Sequence, residues 1–278
     1  MRDGHDVAGL AFTLAVMAGL CLVAAGFRLP PPPAPPPPTP LPALTLGVEG
    51  FDCVQPLPDP PRLGALIIGD SNIFGPLGKF LQRGLGALGY DVDRRGKPTS
   101  GLARPDFFDW WAEARTLLDA HQPDLVIAMF GGNDGQRMES TDLSRQSVRI
   151  ADGGAWGHEY QRRVRSFAAL LRGQGRAVFI LSPTNRRPRF AREKMQKVRA
   201  AQREALEGMQ GVTWIDMFPL SSDEHGEWLE EGVDVDGDPI NYRRPDGIHL
   251  TPAGGQLVGH RVLERLLDNG LTLCGKRD

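Results

Sequence analysis

Ala65-Leu66-Ile67-Ile68-Gly69-Asp70-Ser71-Asn72 is a continuous apolar run that breaks abruptly into small and polar residues. A short run that is apolar at every position, rather than every second one, is the pattern of a parallel strand buried on both faces. Gly75-Pro76-Leu77 then opens a helical pattern, so strand, turn and helix follow in order. Open α/β sheets gather ligands at the carboxyl ends of their strands, and the turn presents Ser71 at such an end. Gly-Asp-Ser alone is equally an ordinary helix-capping turn, and the rest of the chain has to decide between the two.

The alternation continues downstream. Leu77, Phe80, Leu81, Leu85 and Leu88 recur at helical spacing up to Gly89. Residues 90–94 read as a short strand, 106–121 as a helix after Pro105, and 125–130 as a buried strand ending in Gly131-Gly132-Asn133-Asp134. An amphipathic helix over 156–171, a buried strand over 177–181, a charged helix over 190–206 and a strand over 212–217 follow. Thr251 caps a closing helix through 267, with Pro252 at its first position. This order predicts an α/β fold: one doubly wound domain with about five mostly parallel strands.

The 278 residues suffice for one sizeable domain plus extra segments, and a pI near 6.3 with a formal charge of -2 gives no reason to expect nucleic acid. Three cysteines without metal-type spacing argue against a zinc site, and no metal or organic cofactor is expected. Residues 7–26 are uncharged and nearly all apolar, about the length of a membrane-spanning helix. Ala24-Ala25-Gly26 also suits a signal peptidase, so an uncleaved anchor and a cleaved signal both stand. Residues 30–42 are mostly proline, a stiff spacer of about 40 Å. The expected organisation is an anchor or signal segment over 1–28, a proline-rich linker over 29–49 and a catalytic domain over 50–278.

Four turns fall at one edge of the expected sheet: Gly69-Asp70-Ser71-Asn72, Thr99-Ser100-Gly101-Leu102, Gly131-Gly132-Asn133-Asp134 and Asp246-Gly247-Ile248-His249. Acyl transfer through a serine needs a base, an orienter for that base, and donors where the oxyanion develops. His249 is the candidate base for Ser71, and Asp246, three residues earlier, is close enough to fix its tautomer. The N–H groups of Ser71 and Gly101 and the side-chain amide of Asn133 are candidate oxyanion donors.

With those residues in place, the chain resembles the SGNH/GDSL hydrolase family, whose Ser, Gly, Asn and His match Ser71, Gly101, Asn133 and His249 in order. Asp246 matches the Asp of the family's Asp-x-x-His block, and the resemblance spans about residues 64–268. It implies a flavodoxin-like three-layer α/β/α sandwich. Thr-Ser-Gly-Leu-Ala-Arg-Pro-Asp-Phe-Phe-Asp-Trp (99–110), with Gly-Gly-Asn-Asp-Gly-Gln and Asp-Gly-Ile-His-Leu-Thr, is similar to a bacterial subgroup of exported SGNH proteins. Asn72 stands where the family often has Leu.

Asn72, Arg104, Asp134, Arg186 and Arg244 are further candidates for substrate contact. The basic run from Arg186 to Arg203 begins at the catalytic face, where it would meet an anionic glycan or lipid headgroup; a solvated helix face explains it as well. Asp234-Val-Asp236-Gly237-Asp238 lacks the spacing of a calcium loop, and 233–242 reads as a hairpin turning at Asp236-Gly237. Cys53 precedes the first strand and Cys274 follows the last helix, which predicts a disulfide at the face opposite the site.

These readings point to an extracytoplasmic, membrane-attached or secreted bacterial serine esterase. What the resemblance implies as substrate is ester-linked acyl groups, O-acetyl above all, on a cell-envelope or exported glycan. The rivals are an O-acetyltransferase working beside a membrane-bound O-acyltransferase through the same acyl-serine, and a non-catalytic glycan-binding domain on the same fold.

Overall fold

The computed structural model describes residues 63–139, 146–187, 189–234 and 237–271. The apolar and proline-rich segments near the start of the chain, and Cys53 and Cys274, lie outside the described residues.

The opening run forms β1 (Gly64–Gly69), and Ser71 begins a one-turn helix, α1 (Ser71–Phe74), capped by the Asp70 carboxylate, which accepts the Asn72 N–H. Helix α2 (Pro76–Ala87) follows with proline in its first turn and leads to β2 (Asp91–Gly96). Next come α3 (Trp110–His121), β3 (Leu125–Met129), the two-residue strands β4 (Met138–Glu139) and β5 (Ser147–Val148), and α4 (Gly154–Arg172). β6 (Ala177–Leu181), α5 (Arg189–Leu206), β7 (Val212–Ile215) and the one-turn α6 (Met217–Leu220) complete the alternation. The hairpin β8 (Glu231–Val233) and β9 (Pro239–Asn241) precedes α7 (Pro252–Asp268), whose cap is the Thr251 hydroxyl accepting the Gly254 N–H.

The main sheet has the order β2-β1-β3-β6-β7, and every neighbour is parallel. Successive side chains of a strand face opposite ways, so a strand covered on both faces must be apolar throughout. Leu66, Ile68, Val126, Ala128, Val178 and Ile180 face one core with Trp110 of α3, Phe167 of α4 and Val198 of α5. Ala65, Ile67, Ile127, Met129, Phe179 and Leu181 face the other with Leu77 and Phe80 of α2 and Val258 and Val262 of α7. The result is a three-layer α/β/α sandwich. Each of these large buried side chains contributes about 1.5–3 kcal/mol.

Element boundaries differ from expectation where a capping carboxylate intervenes. α3 starts at Trp110, not 106, because Asp109 accepts the N–H groups of Trp111 and Ala112, while Phe107 and Phe108 turn back to the Arg104 carbonyl. The strand expected over 212–217 stops at Ile215 because Asp216 caps α6. β2 runs two residues beyond 94, its register carried by pairing with β1. The expected hairpin is present as β8 and β9, with Val233 opposite Pro239; two residues of its turn, 235 and 236, lie outside the described residues.

Candidate active site

The carboxyl ends of β1 and β3 and the segment entering α7 converge. His249 Nε2 lies 2.9 Å from Ser71 Oγ, and His249 Nδ1 lies 2.8 Å from Asp246 Oδ2. With the ring proton on Nδ1, that nitrogen donates to Asp246 and Nε2 accepts the serine O–H. The other Asp246 oxygen accepts the N–H groups of Ile248 (2.8 Å) and His249 (2.9 Å). Gly247 makes this return possible, since its φ of +69° favours glycine. Burial pushes the Asp246 carboxyl up, but the bonds from the His249 ring and the two N–H groups outweigh it and hold it at about 2. Asp246 is therefore ionised at any working pH, and its charge favours the imidazolium that forms when His249 takes a proton.

The Gly101 segment is held against β3 by a buried carboxylate. Asp134 is 0% exposed; its Oδ1 accepts the Ala103 N–H at 2.8 Å and its Oδ2 accepts the Tyr160 O–H at 2.8 Å. A Cβ on residue 101 would fall 2.0 Å from Asp134 Oδ1, so only glycine fits beside it. Among the described residues the N–H groups of Ser71 and Gly101 have no hydrogen-bond partner, whereas their neighbours Asn72 and Ala103 do. Asn133 donates one amide N–H to the Ser100 carbonyl at 2.9 Å, which leaves its second for another acceptor. These groups can serve as donors to developing negative charge.

Beside Ser71 and His249 opens a cavity of about 440 Å³, lined also by Asn72, Phe74, Lys79, Arg83 and Arg244. Of the five residues expected to meet substrate, Arg244 and Asn72 line this cavity, although the Asn72 side chain donates to Asp70 at 3.2 Å. The other three do not. Arg104 pairs with Asp106 through two N–H groups, away from the cavity. Asp134 is wholly inside, as above, and holds backbone. Arg186 is only 9% exposed and packs against Gly132, where a Cβ would lie 2.7 Å from Nη2. Burial lowers its pKa, and the nearby charges of Asp70 and Asp246 oppose that shift.

The basic run is also quieter than its sequence. Arg187 pairs with Glu230 and stacks on Trp228, Arg192 pairs with Glu227, and Arg199 binds Asp216. Sequence reasoning missed several supports. Arg163 is buried on α4 and donates to the Leu102 and Ala103 carbonyls at 3.0 and 2.8 Å, balanced by Glu159 at 2.7 Å. The Trp110 indole donates to Ser100 Oγ, and Arg243 donates to the Ile248 carbonyl just before His249. A readable sign existed in α4, where Glu159 and Arg163 interrupt the apolar stripe of Trp156, Tyr160, Val164 and Phe167.

Burial also raises Asp134, to about 6, against hydrogen bonds from Ala103, Tyr160 and Leu102. A raised carboxyl binds its proton more tightly in the folded chain. Its contribution is complete below the unfolded value near 4 and is lost as pH climbs through 6, about 3 kcal/mol in all. Asp134→Asn is therefore expected to flatten the fall in melting temperature between pH 4 and 6.5. Parallel melting curves for the two proteins across that range would contradict the assignment.

The family described as "Protein of unknown function (DUF459)" matches residues 65–265, which include Ser71, Gly101, Asn133, Asp246 and His249. The chain belongs to the DUF459 family. No curated protein matches it. Among solved structures this DUF459 chain is similar to LAE5, an alpha/beta hydrolase enzyme from the metagenome of Lake Arreo, Spain. The two are 18% identical with a TM-score of 0.51, over 73% of this chain and 94% of that one. A catalytic mutant of Axe2, an acetylxylan esterase from Geobacillus stearothermophilus, is 17% identical over 77% of this chain and 97% of its own, with a TM-score of 0.48. The strand order, the flanking helix layers and the likeness to LAE5 give this DUF459 member a three-layer α/β/α fold.

Proposed function

We propose that this DUF459 protein is a serine esterase that removes O-acyl groups, O-acetyl above all, from a cell-envelope or exported polysaccharide outside the cytoplasm. The observation that carries the chemistry is the unbroken line Ser71 Oγ, His249 and Asp246, at 2.9 and 2.8 Å. Ser71 Oγ attacks the acyl carbonyl carbon while its proton passes to His249 Nε2. The carbonyl oxygen becomes an oxyanion that the Ser71 and Gly101 N–H groups and the Asn133 amide receive. The ester C–O bond then breaks, His249 returns the proton to the departing sugar oxygen, and the acyl group stays on Ser71. Water, deprotonated by His249, attacks that acyl-serine and releases the acid and the serine.

The polymer substrate and the location rest on the resemblance to exported SGNH proteins and on the apolar and proline-rich stretches over 7–26 and 30–42. Those stretches also favour a second reading, in which a membrane-bound O-acyltransferase supplies the acyl-serine and a sugar hydroxyl replaces water as acceptor. The test is release of p-nitrophenol and acetate from p-nitrophenyl acetate by the full chain, with and without a short oligosaccharide. Turnover that vanishes in Ser71→Ala is expected, and acetylated oligosaccharide among the products would favour transfer. Asn133→Ala is expected to lower turnover about 10²- to 10³-fold without unfolding the domain. A loss of only a few-fold would remove Asn133 from the oxyanion donors.

A further inference from the structure

Three cations line the cavity beside Ser71 and none of them is neutralised. Lys79 and Arg83 are four residues apart on α2, hence on one face of the helix, and Arg244 approaches from the segment before His249. Their side chains have no ion-pair or hydrogen-bond partner among the described residues, and no carboxylate side chain lines the cavity. Helix α2, PLGKFLQRGLGA, contains no acidic residue at all. Several arginines elsewhere, Arg95, Arg104, Arg187, Arg192 and Arg199, each have a carboxylate partner. Three positive charges and no acidic counterpart thus line the place where a ligand would sit. A cleft with apolar walls focuses such a field and raises the local concentration of anions.

We infer that this cavity selects an acidic glycan: an O-acylated sugar chain whose carboxylate or phosphate groups meet Lys79, Arg83 and Arg244 while the ester reaches Ser71. The proposal rests on the esterase reading and adds the charge of its substrate. Phe74, 55% exposed, stands at the same cavity, its ring an apolar face suited to the C–H face of a sugar ring. The volume, about 440 Å³, lies within the range of small-ligand sites and accommodates a short saccharide segment. A flat anionic membrane surface fits less well, because the charges surround a concavity with the serine and histidine among its lining residues. The anionic contact expected from Arg186 is thereby assigned instead to α2 and Arg244.

The test is binding, so that it does not depend on turnover. The affinities of a galacturonate hexamer and of neutral xylohexaose are measured on the full chain carrying Ser71→Ala, at low and at high salt. The same measurement is made with Lys79→Gln and Arg83→Gln added. Each exposed ion pair contributes about two- to fivefold in affinity, so the anionic oligomer is expected to bind about tenfold or more tightly than the neutral one at low salt. That ratio is expected to shrink at high salt and to fall to within a few-fold in the double variant, with xylohexaose affinity serving as the check on folding. Equal affinities, or a ratio that the double substitution does not move, would overturn the inference. So would sedimentation with phosphatidylglycerol vesicles that the double variant loses while the oligomer ratio stays fixed, since this would assign the cations to a membrane. Absence of Ser71-dependent p-nitrophenyl acetate turnover would count against the esterase reading alone.

Discussion

His249→Ala lowers turnover of an acyl ester by at least about 10⁴-fold and leaves the fold standing; that is the largest expected effect outside the nucleophile itself. The imidazole makes one contact to Ser71 and one to Asp246, and its side chain is about a third exposed. Removing it opens no cavity in the core. Asp246 keeps two of its bonds, from the Ile248 and His249 N–H groups, so the loop retains its shape. What is lost is the only group hydrogen-bonded to Ser71 Oγ among the described residues that can take its proton. Thermal melting should be nearly unchanged while p-nitrophenyl acetate turnover falls to background. A loss below about tenfold would mean that another base serves Ser71.

Gly101→Ala has the second large effect, this time on the fold and the site together. The new methyl would fall 2.0 Å from Asp134 Oδ1 and 2.8 Å from Asp134 Cγ, far inside contact distance. The carboxylate cannot retreat, because it is buried and tied to the Ala103 N–H and the Tyr160 hydroxyl. The Gly101 segment cannot retreat either, being bonded to Arg163 through the Leu102 and Ala103 carbonyls. Overpacking of this kind costs about 1–3 kcal/mol, and displacing the network adds to it, so a loss of about 3 kcal/mol is expected. In an Asp134→Ala background both clashing atoms, Oδ1 and Cγ, are gone, and the same substitution should cost less than about 1 kcal/mol. Denaturant melts of the four proteins give the coupling directly, and additive effects would contradict the contact.

The centre of the sheet was legible because β1, β3 and β6 are apolar runs covered on both faces, a pattern that depends on local sequence alone. Helix starts were less legible. Asp106 and Asp109 look alike in sequence, and only the contact of Asp106 with Arg104 leaves Asp109 as the cap of α3. The site was legible as four blocks, since each falls where a strand or turn ends and the order of Ser71, Gly101, Asn133 and His249 carries its own information. The direction in which side chains turn was not. Within one turn Asn133 is only half-buried while Asp134 is wholly buried, and nothing local distinguishes them. The charge of the cleft was hidden for a related reason. The basic run after β6 is conspicuous in sequence, but Arg187, Arg192 and Arg199 within it are paired with Glu230, Glu227 and Asp216 from distant segments, whereas two sparse cations on α2 have no such partners among the described residues.

The most direct test of the account is the site of covalent modification by a serine-directed fluorophosphonate. The reagent reacts fastest with an oxygen nucleophile activated by a neighbouring base. Mass measurement of the folded full chain is predicted to show one adduct, peptide mapping to place it on Ser71, and Ser71→Ala to abolish it. An adduct that persists on another residue in Ser71→Ala, or no adduct on the folded wild-type chain, would contradict the assignment of Ser71, His249 and Asp246 as a working triad.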